Sequence, residues 1–208
     1  MPTTVEFIER SFNVEKDVAV IRKALPVDEI EDFFNVFKVH TNEGFKKAGV
    51  YQGEHTKSGG LDLDIRNVWE KRASINDHVL LQRLISHLVG FVETNPQYKI
   101  KKYSDPVNIL KYTSDEDKPH LFKKHKDPLP RTNEDGLDRI LSVSAFLTQP
   151  EKDYTGGGLY FYNDKEQPSG SRFQIDKGDI VIFPSLMYHE VRPVLTGTRV
   201  ALIHWLHG

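Results

Sequence analysis

The sequence contains no cysteine, which excludes disulfide bridges, iron–sulfur clusters and thiolate zinc sites. It also lacks a large excess of one charge: the formal net charge is -2 and the pI is about 6.5, so no overall basic field favours nucleic acid or anionic lipid. No apolar run approaches the roughly 20 residues of a membrane-spanning helix, and no secretory signal is visible. We therefore expect a cytoplasmic protein without nucleic-acid or membrane partners.

The pattern of apolar residues changes near residue 97. The 208 residues suit a single domain, and no linker rich in Gly or Ser divides them. Before residue 97 the sequence predicts helices over residues 14–24, 26–39 and 76–95, the last with an apolar stripe from Leu81 to Val92 and an end at Asn95-Pro96. We expect residues 1–97 to form a helix-rich support within one domain spanning residues 1–208.

Short strand-like runs separated by Gly, Pro, Asp and Asn follow that boundary. They cover residues 98–103, 107–112, 139–148, 159–162, 172–175, 179–183, 189–194 and 198–206. Such regular short strands favour a sandwich or barrel, against which the helices would pack. The sequence predicts a mainly β protein with helical support, an α+β domain whose β core spans residues 98–208.

Two imidazoles and one carboxylate are the most informative residues of the chain. A His-x-Asp pair such as His125 and Asp127 is expected by chance among 9 His and 30 acidic residues, but on a strand the two side chains point the same way. His189 begins a later strand-like run. Two His and one carboxylate that leave three metal positions open are the ligand set of non-haem Fe(II) oxygenases.

Arg199 follows His189 by ten residues. We expect a turn around Thr196-Gly197 to join two paired antiparallel strands and so bring both residues into one region. A guanidinium there binds a carboxylate through two parallel hydrogen bonds, which a lysine cannot do. The sequence thus predicts an anion site beside the metal.

These residues, taken in order, resemble the Fe(II)- and 2-oxoglutarate-dependent dioxygenases, and within them the branch of prolyl 4-hydroxylases and lysyl hydroxylases. The likeness covers residues 107–206. It rests on His125-x-Asp127, Gly156-Gly157-Gly158-Leu159-Tyr160-Phe161, Lys177-Gly178-Asp179, His189 with Arg199, and the segment from Arg199 to Trp205. The resemblance implies a double-stranded β-helix, or jelly roll, with iron held by His125, Asp127 and His189.

The resemblance also implies the surroundings of the cosubstrate. Arg199 matches the basic residue that pairs with the far carboxylate of 2-oxoglutarate, Tyr112 the tyrosine beside the cosubstrate, and Trp205 an aromatic residue of the same pocket. The interval from Tyr112 to His125 is longer than is usual in the family. Phe146 stands where many relatives have a second tyrosine, so we expect Ser142 or Ser144 to supply the missing hydrogen bond.

The activity implied is hydroxylation of an aliphatic C–H bond of a prolyl or lysyl residue with O2, releasing succinate and CO2, with ascorbate as reductant. Asp127 favours hydroxylation, because halogenating relatives replace this carboxylate by a small residue. Two alternatives stay open: a hydroxylase of a free amino acid or small metabolite, and a non-catalytic cupin-like protein that binds a metal or ligand. A nucleobase demethylase is disfavoured, since no basic groove or base-reading motif is visible.

Several other residues near these motifs have alternative roles. His120 is an alternative metal ligand, and Arg139 and Arg192 are either substrate contacts or surface charges. The run Gly156-Gly157-Gly158 predicts a tight strand entry rather than a phosphate-binding loop, because no Lys-Ser/Thr and helix follow it. We expect residues 50–69, 113–122 and 128–138 to form the walls or lid of the substrate site.

Overall fold

The computed structural model describes residues 12–49, 62–114, 117–128, 136–166 and 169–208. Its helices are α1 (Val14–Asp17), α2 (Val27–Val36) and α3 (Val79–Thr94), with 3-10 turns at Ile75–Asp77 and Pro96–Tyr98. Its strands are β1 (Ala19–Ile21), β2 (Lys46–Lys47), β3 (Arg66–Asn67), β4 (Trp69–Ala73), β5 (Lys102–Tyr103), β6 (Val107–Thr113), β7 (Leu121–His125), β8 (Arg139–Phe146), β9 (Tyr154–Gly156), β10 (Leu159–Tyr162), β11 (Ser171–Arg172), β12 (Ile180–Pro184), β13 (Tyr188–Val191) and β14 (Val194–His207).

Two antiparallel sheets form the jelly roll that the resemblance implied. The larger sheet has the order β1-β12-β8-β14-β6-β4-β2, and β5 and β9 also pair with β14. The smaller sheet has the order β11-β10-β13-β7-β3. Strand β14 lies at the centre of the larger sheet, so its residues meet partners on both sides: Arg199 lies opposite Tyr112 on β6, and Trp205 lies opposite Ser142 on β8.

The larger sheet is buried on both faces. Alternate residues of its central strands pack against α2 and α3, where Phe33, Leu84, Val143 and Leu202 belong to one apolar cluster. The intervening residues face the smaller sheet and contribute to a second cluster. Because side chains alternate along a strand, the same strands serve a helix-packing face and a face turned toward the other sheet.

The helix predicted over residues 14–24 is wrong beyond its first turn. Asn13 caps α1, accepting hydrogen bonds from the backbone N–H groups of Glu15 and Lys16, but α1 ends at Asp17. Residues 19–21 then form β1 and pair with β12 at the edge of the larger sheet. The β-branched residues of this run gain more from sheet pairing than from continuing a short helix.

The boundary predicted near residue 97 is not a boundary of the sheets. Strands β1 to β4 precede it and join both sheets, so the first half is more than a helical support. Of the strand expected over residues 98–103 only Lys102–Tyr103 forms, and of that over 172–175 only residue 172 is in a strand. The helices predicted over 26–39 and 76–95 are confirmed in shorter form as α2 and α3. That the whole chain is one domain stays a prediction.

The hairpin expected between positions 189 and 199 is also wrong. His189 lies on β13 in the smaller sheet, whereas Arg199 lies on β14 in the larger one. The chain crosses from one sheet to the other after Val191, and Thr196 and Gly197 lie within β14, paired to β9. The two residues therefore approach the same region from opposite sheets.

None of the described helices combines the length and the apolar character needed to cross a membrane. The cytoplasmic location expected from the sequence stays a prediction.

Candidate metal and anion site

Three potential metal ligands converge between the sheets. His125 ends β7 and His189 lies directly opposite it on β13, which brings the two imidazole centroids to 4.2 Å. Asp127 follows β7 by two residues. One ligand atom from each of the three residues lies within 4.8 Å of the others, a clustering of such groups that recurs nowhere else among the described residues. The structure thus brings together the three ligands predicted from the sequence.

Both imidazoles are oriented by backbone carbonyls. His125 Nδ1 lies 2.7 Å from the carbonyl oxygen of Lys123, and His189 Nδ1 lies 3.0 Å from that of Met187. A carbonyl oxygen only accepts hydrogen bonds, so each Nδ1 carries the proton and each Nε2 keeps its lone pair. The Nε2 atoms of His125 and His189 lie 3.5 and 3.7 Å from the Asp127 carboxylate. Orientation of a metal-binding histidine through its second nitrogen is the usual arrangement.

Asp127 is held by three hydrogen bonds. Its backbone N–H donates to the carbonyl of Ser185 at 2.8 Å. Its Oδ2 atom accepts from Ser142 Oγ at 2.8 Å and from Trp205 Nε1 at 3.1 Å. These contacts leave Oδ1, 3.5 Å from His125 Nε2, for a cation. Trp205 and Ser142 therefore contact Asp127. Both also line the cavity that holds Arg199, and the cosubstrate contact expected for them stays a prediction.

The electrostatics of the site favour the protonation states that a metal requires. Burial, with a smaller contribution from His125, lowers the pKa of His189 to about 4. Burial by itself would raise the pKa of Asp127, but His189, His125 and the hydrogen bond from Trp205 outweigh it and lower that pKa. At neutral pH the site therefore offers a neutral imidazole at His189 and a carboxylate at Asp127, as metal binding requires.

The donor set fits a divalent transition metal. Imidazole nitrogen and carboxylate oxygen bind such ions at about 2.0–2.2 Å, so the separations of 3.5 and 3.7 Å at Asp127 are within the reach of one ion. Two imidazoles and a carboxylate suit Fe(II) better than Mg²⁺ or Ca²⁺, which prefer oxygen ligands alone. The three side chains supply one face of the coordination sphere and leave the other positions for small molecules.

Arg199 is a buried cation with no acidic partner among the described residues. Arg199 is 1% exposed, and its Nε, Nη1 and Nη2 atoms are all buried without a hydrogen bond within the described part of the chain. Its Cζ lies 5.0 Å from the ring centroid of Tyr112 and 4.9 Å from that of Phe146. Leaving a buried charge unpaired costs several kcal/mol, so this geometry fits an anionic ligand that supplies the missing contacts.

Two tyrosines accompany Arg199, and only one of them was predicted. Burial raises the pKa of Tyr112, and Arg199 opposes this effect. Burial likewise raises the pKa of Tyr154 on β9, again opposed by Arg199. Tyr112 was expected at the cosubstrate, whereas Tyr154 was not. The available signal for Tyr154 was its position two residues before the glycine run, in the strand β9 that pairs with β14.

The glycine run makes room for the guanidinium. Gly156 and Gly157 have φ angles of +70° and +57°, a conformation that favours glycine. A Cβ atom on Gly157 would lie 2.9 Å from Val194 Cγ2 and 3.2 Å from Arg199 Cδ. The run is therefore a tight entry into β10, as predicted, and it shapes the space around Arg199.

The two candidate serines have different partners. Ser142 Oγ donates to Asp127 and lies 3.0 Å from Ser185 Oγ, so it supports the metal ligand. Ser144 Oγ is buried without a partner in the described region and lines the same cavity as Arg199 and Tyr112. Of the pair, Ser144 is the one whose hydroxyl is available to a ligand.

His120 lies apart from the three metal ligands. Its Nδ1 accepts from the Thr113 backbone N–H at 2.9 Å, and its Nε2 lies 2.9 Å from Lys47 Nζ. It is absent from the group that could hold a cation, so the alternative assignment of His120 as a ligand is wrong. Of the expected substrate walls, residues 50–61, 115–116 and 129–135 lie outside the described residues, while Arg66 lines the cavity.

The jelly roll and its two-histidine, one-carboxylate group are the features of a class of non-haem metal proteins, and comparison with known sequences shows which family the chain resembles. Residues 107–207 match the 2OG-Fe(II) oxygenase superfamily. A PKHD-type hydroxylase of Crocosphaera subtropica is 28% identical over 122 residues, which cover 58% of this chain and 52% of that protein. The match thus spans about half the length of this curated relative. The sequence of the jelly-roll half is thus similar to the 2OG-Fe(II) oxygenase superfamily, and the curated relative that it matches is a PKHD-type hydroxylase.

Solved structures share the fold over nearly the whole chain. A prolyl-4-hydroxylase of Pseudomonas putida has a TM-score of 0.68 at 14% identity, covering 93% of this chain and 94% of that one. A prolyl hydroxylase of Trichoplax adhaerens, in complex with a peptide fragment of the hypoxia inducible factor oxygen degradation domain, has a TM-score of 0.68 at 17% identity, with 93% and 84% covered. At these identities the likeness concerns the fold.

Proposed function

We propose that the protein is an Fe(II)- and 2-oxoglutarate-dependent dioxygenase that hydroxylates an aliphatic C–H bond and releases succinate and CO2. The observation that carries this proposal is the pairing of two features in one cavity. His125, Asp127 and His189 offer three ligand atoms to one cation, and Arg199 offers to an anion a buried guanidinium that no acidic side chain of the described residues neutralises. A dicarboxylate that binds the metal at one end and Arg199 at the other satisfies both.

The residues of the chain have distinct tasks in this reaction. His125, Asp127 and His189 would hold Fe(II), which when bound supplies the oxidative chemistry with O2 that organic side chains cannot perform. The carbonyls of Lys123 and Met187 keep both Nε2 atoms directed at the cation. These contacts fix the ligand geometry before any substrate arrives.

Arg199 and its neighbours would orient the cosubstrate. The guanidinium would pair with the far carboxylate of 2-oxoglutarate through two charge-assisted hydrogen bonds. Tyr112 and Ser144 line the same cavity, and Tyr154 approaches the guanidinium from β9. The apolar surroundings strengthen these contacts and exclude water from the reaction. Ascorbate is the expected reductant.

The substrate we propose is a prolyl or lysyl residue of a peptide. Supporting this, the Trichoplax adhaerens neighbour was solved with a bound peptide, and the matching curated relative is named a PKHD-type hydroxylase. A free amino acid or small metabolite hydroxylated by the same mechanism is the second candidate. Binding of a metal without turnover is disfavoured, because a simple metal-binding module has no need of an unpaired buried guanidinium.

Formation of succinate tests the proposal. Purified protein is incubated with Fe(II), ascorbate and 2-oxoglutarate, and succinate is measured with and without candidate prolyl and lysyl peptides. We expect Fe(II)-dependent succinate from the wild-type protein and a loss of at least about 100-fold in His189→Ala and Arg199→Ala, because each removes a primary contact to cation or diacid.

The exposed histidine His40 provides the matched control. His40→Ala removes an imidazole outside the cavity and should retain wild-type succinate formation. If the wild-type protein binds Fe(II) but forms no succinate with or without any peptide, the binding protein becomes the better assignment. Succinate formation that survives His189→Ala would contradict the assignment of the ligands.

A further inference from the structure

A β-bulge directs Arg139 toward the metal site. Strand β8 pairs Leu141 with Leu206 but Arg139 with His207, so Ile140 is an extra residue in the ladder. A bulge of this kind places two successive side chains on one face. Ile140 accordingly packs with Leu141 against the helix-side core, and Arg139 falls on the other face, the face of Ser142.

The Arg139 guanidinium lies one aromatic ring away from a metal ligand. Its Cζ is 3.8 Å from the ring centroid of Trp205, whose Nε1 donates to Asp127 at 3.1 Å. Its Nε is buried without a hydrogen bond, and no ion pair joins the guanidinium to any acidic group in the described part of the chain. Burial lowers the pKa of Arg139, and only the nearby Asp127 opposes this.

A second guanidinium flanks the site from the opposite sheet. Arg66 lies over the ring of Phe122 at 4.8 Å, and Phe122 stacks on His125 with centroids 3.5 Å apart. Arg66 Nη1 donates to the carbonyl of Gly49 and Nη2 lies 3.5 Å from Glu70, but its buried Nε has no partner. Two cations thus stand beside the two metal ligands His125 and Asp127, and Arg66 repels the charge of Arg139.

The charges of the loaded site leave Arg139 without a counter-ion. Under the proposed function, the two positive charges of the divalent cation balance the two negative charges of the dicarboxylate. The negative charge of Asp127 balances the positive charge of Arg199. Glu70 lies next to Arg66. The charge of Arg139 remains, close to the metal and already partly desolvated. A guanidinium in this position matches a carboxylate in charge and in the geometry of its paired hydrogen bonds.

We infer that Arg139 binds a carboxylate of the substrate, with Arg66 adding a second positive charge, so that the enzyme selects an anionic substrate. This inference rests on the proposed function and narrows its substrate to carboxylate-bearing amino acids. The carboxylate comes either from a free or C-terminal residue at the hydroxylated position or from an acidic side chain next to it. The stacked aromatic rings fix both guanidiniums in orientation.

Probe pairs that differ in charge alone test the inference. N-acetyl-L-proline is compared with N-acetyl-L-prolinamide, and N-acetyl-L-lysine with its amide. N-acetyl-prolyl-aspartyl amide is compared with the asparaginyl analogue, which separates an acidic neighbour from a terminal carboxylate. Binding of each probe to the Fe(II)- and 2-oxoglutarate-loaded protein is measured anaerobically by calorimetry, and succinate is measured aerobically in parallel.

We expect the acid of at least one pair to bind the wild-type protein at least about tenfold more tightly than its amide. In Arg139→Gln this ratio should fall to within about twofold, and Arg139→Lys should restore part of it. Merely structural damage would weaken acid and amide alike and leave the ratio unchanged. Arg192→Gln is the matched control, because Arg192 also stacks on an aromatic ring, Tyr160 at 3.7 Å, but forms an ion pair with Glu190.

The inference is overturned if the acid and the amide of every pair bind the wild-type protein with about the same affinity. It is also overturned if no probe binds. A ratio that survives Arg139→Gln also overturns it. Succinate formed without probes separates this failure from failure of the proposed function: if the wild-type protein forms succinate but shows no charge preference, only the role of Arg139 is lost.

Discussion

The two faces of the larger sheet are built from the same strands but differ in how completely their polar groups are satisfied. The face toward α2 and α3 is apolar and tightly buried, with Val143 and Leu202 fully or almost fully inaccessible. The face toward the smaller sheet carries Arg199 and Ser144, whose buried polar atoms have no partners among the described residues. Native proteins rarely tolerate such groups unless a ligand completes them. The first face therefore provides stability and the second provides binding.

A substitution on the helix side should have the largest effect on stability. Leu202 is fully buried on β14, and Leu202→Ala should lower the free energy of unfolding by about 2–5 kcal/mol through lost burial and a cavity. Leu195→Ala, on the same strand but 68% exposed, should change it by less than about 0.5 kcal/mol. Urea denaturation measures both. Loss of Fe(II) affinity in the folded Leu202 variant would show that the two faces are not separable.

A substitution on the face toward the smaller sheet should leave stability intact and weaken ligand binding. Arg199→Met replaces an unpaired buried cation by an apolar side chain of similar length, so the free energy of unfolding should stay constant or rise. Affinity for 2-oxoglutarate, measured anaerobically by calorimetry, should fall at least about 100-fold, since two charged hydrogen bonds are lost. Arg192→Met, which removes a partly exposed guanidinium, is the control. A clear loss of stability in Arg199→Met would mean that the guanidinium supports the fold.

His204 is an exception on the helix side, because both of its ring nitrogens are buried without partners in the described region. Burial, with a contribution from His207, lowers its pKa from 6.5 to about 4. His204 is therefore protonated below about pH 6.5 in the unfolded chain but only below about pH 4 in the folded protein. The free energy of unfolding falls as the pH is lowered through this window. His204→Phe should remove that loss, stabilising the protein by about 2 kcal/mol at pH 5 and by little at pH 7.5.

Urea denaturation at both pH values measures the effect of His204→Phe. His40→Phe, at an exposed histidine, controls for the loss of an imidazole. An equal gain at pH 5 and pH 7.5 would contradict the proposed titration of His204 and indicate improved packing alone.

The smallest expected effect is a difference between Ser142 and Ser144, which lie on the same strand and face. Ser142→Ala removes a hydrogen bond to Asp127 and should lower Fe(II) affinity by about tenfold, the lower end of the range for groups that orient metal ligands. Ser144→Ala should leave Fe(II) affinity within about twofold and weaken 2-oxoglutarate binding instead. Anaerobic titration of both variants tests this. Equal Fe(II) affinities in the two would show that the Ser142 contact does not orient Asp127.

The sequence predicted the site better than the path of the chain around it. His125, Asp127 and His189 could be predicted because their spacing and chemistry are local properties of short motifs. The crossing between β13 and β14 could not, because the residues between them are equally compatible with a hairpin. The strand Ala19–Ile21 was assigned to a helix, since its partner β12 lies about 160 residues away. Tyr154 and the bulge at Ile140 were missed because their roles depend on contacts between distant strands.

The sequence by itself determined the ligand types, the strand-rich second half and the glycine run, because residue chemistry and short-range backbone preferences act over a few positions. The tertiary structure alone decided that Arg199 has no acidic partner in the described part of the chain, that Ser142 donates a hydrogen bond to Asp127, and that Arg139 turns toward the site. These outcomes depend on which side chains meet across two sheets, and burial then sets their charges and partners.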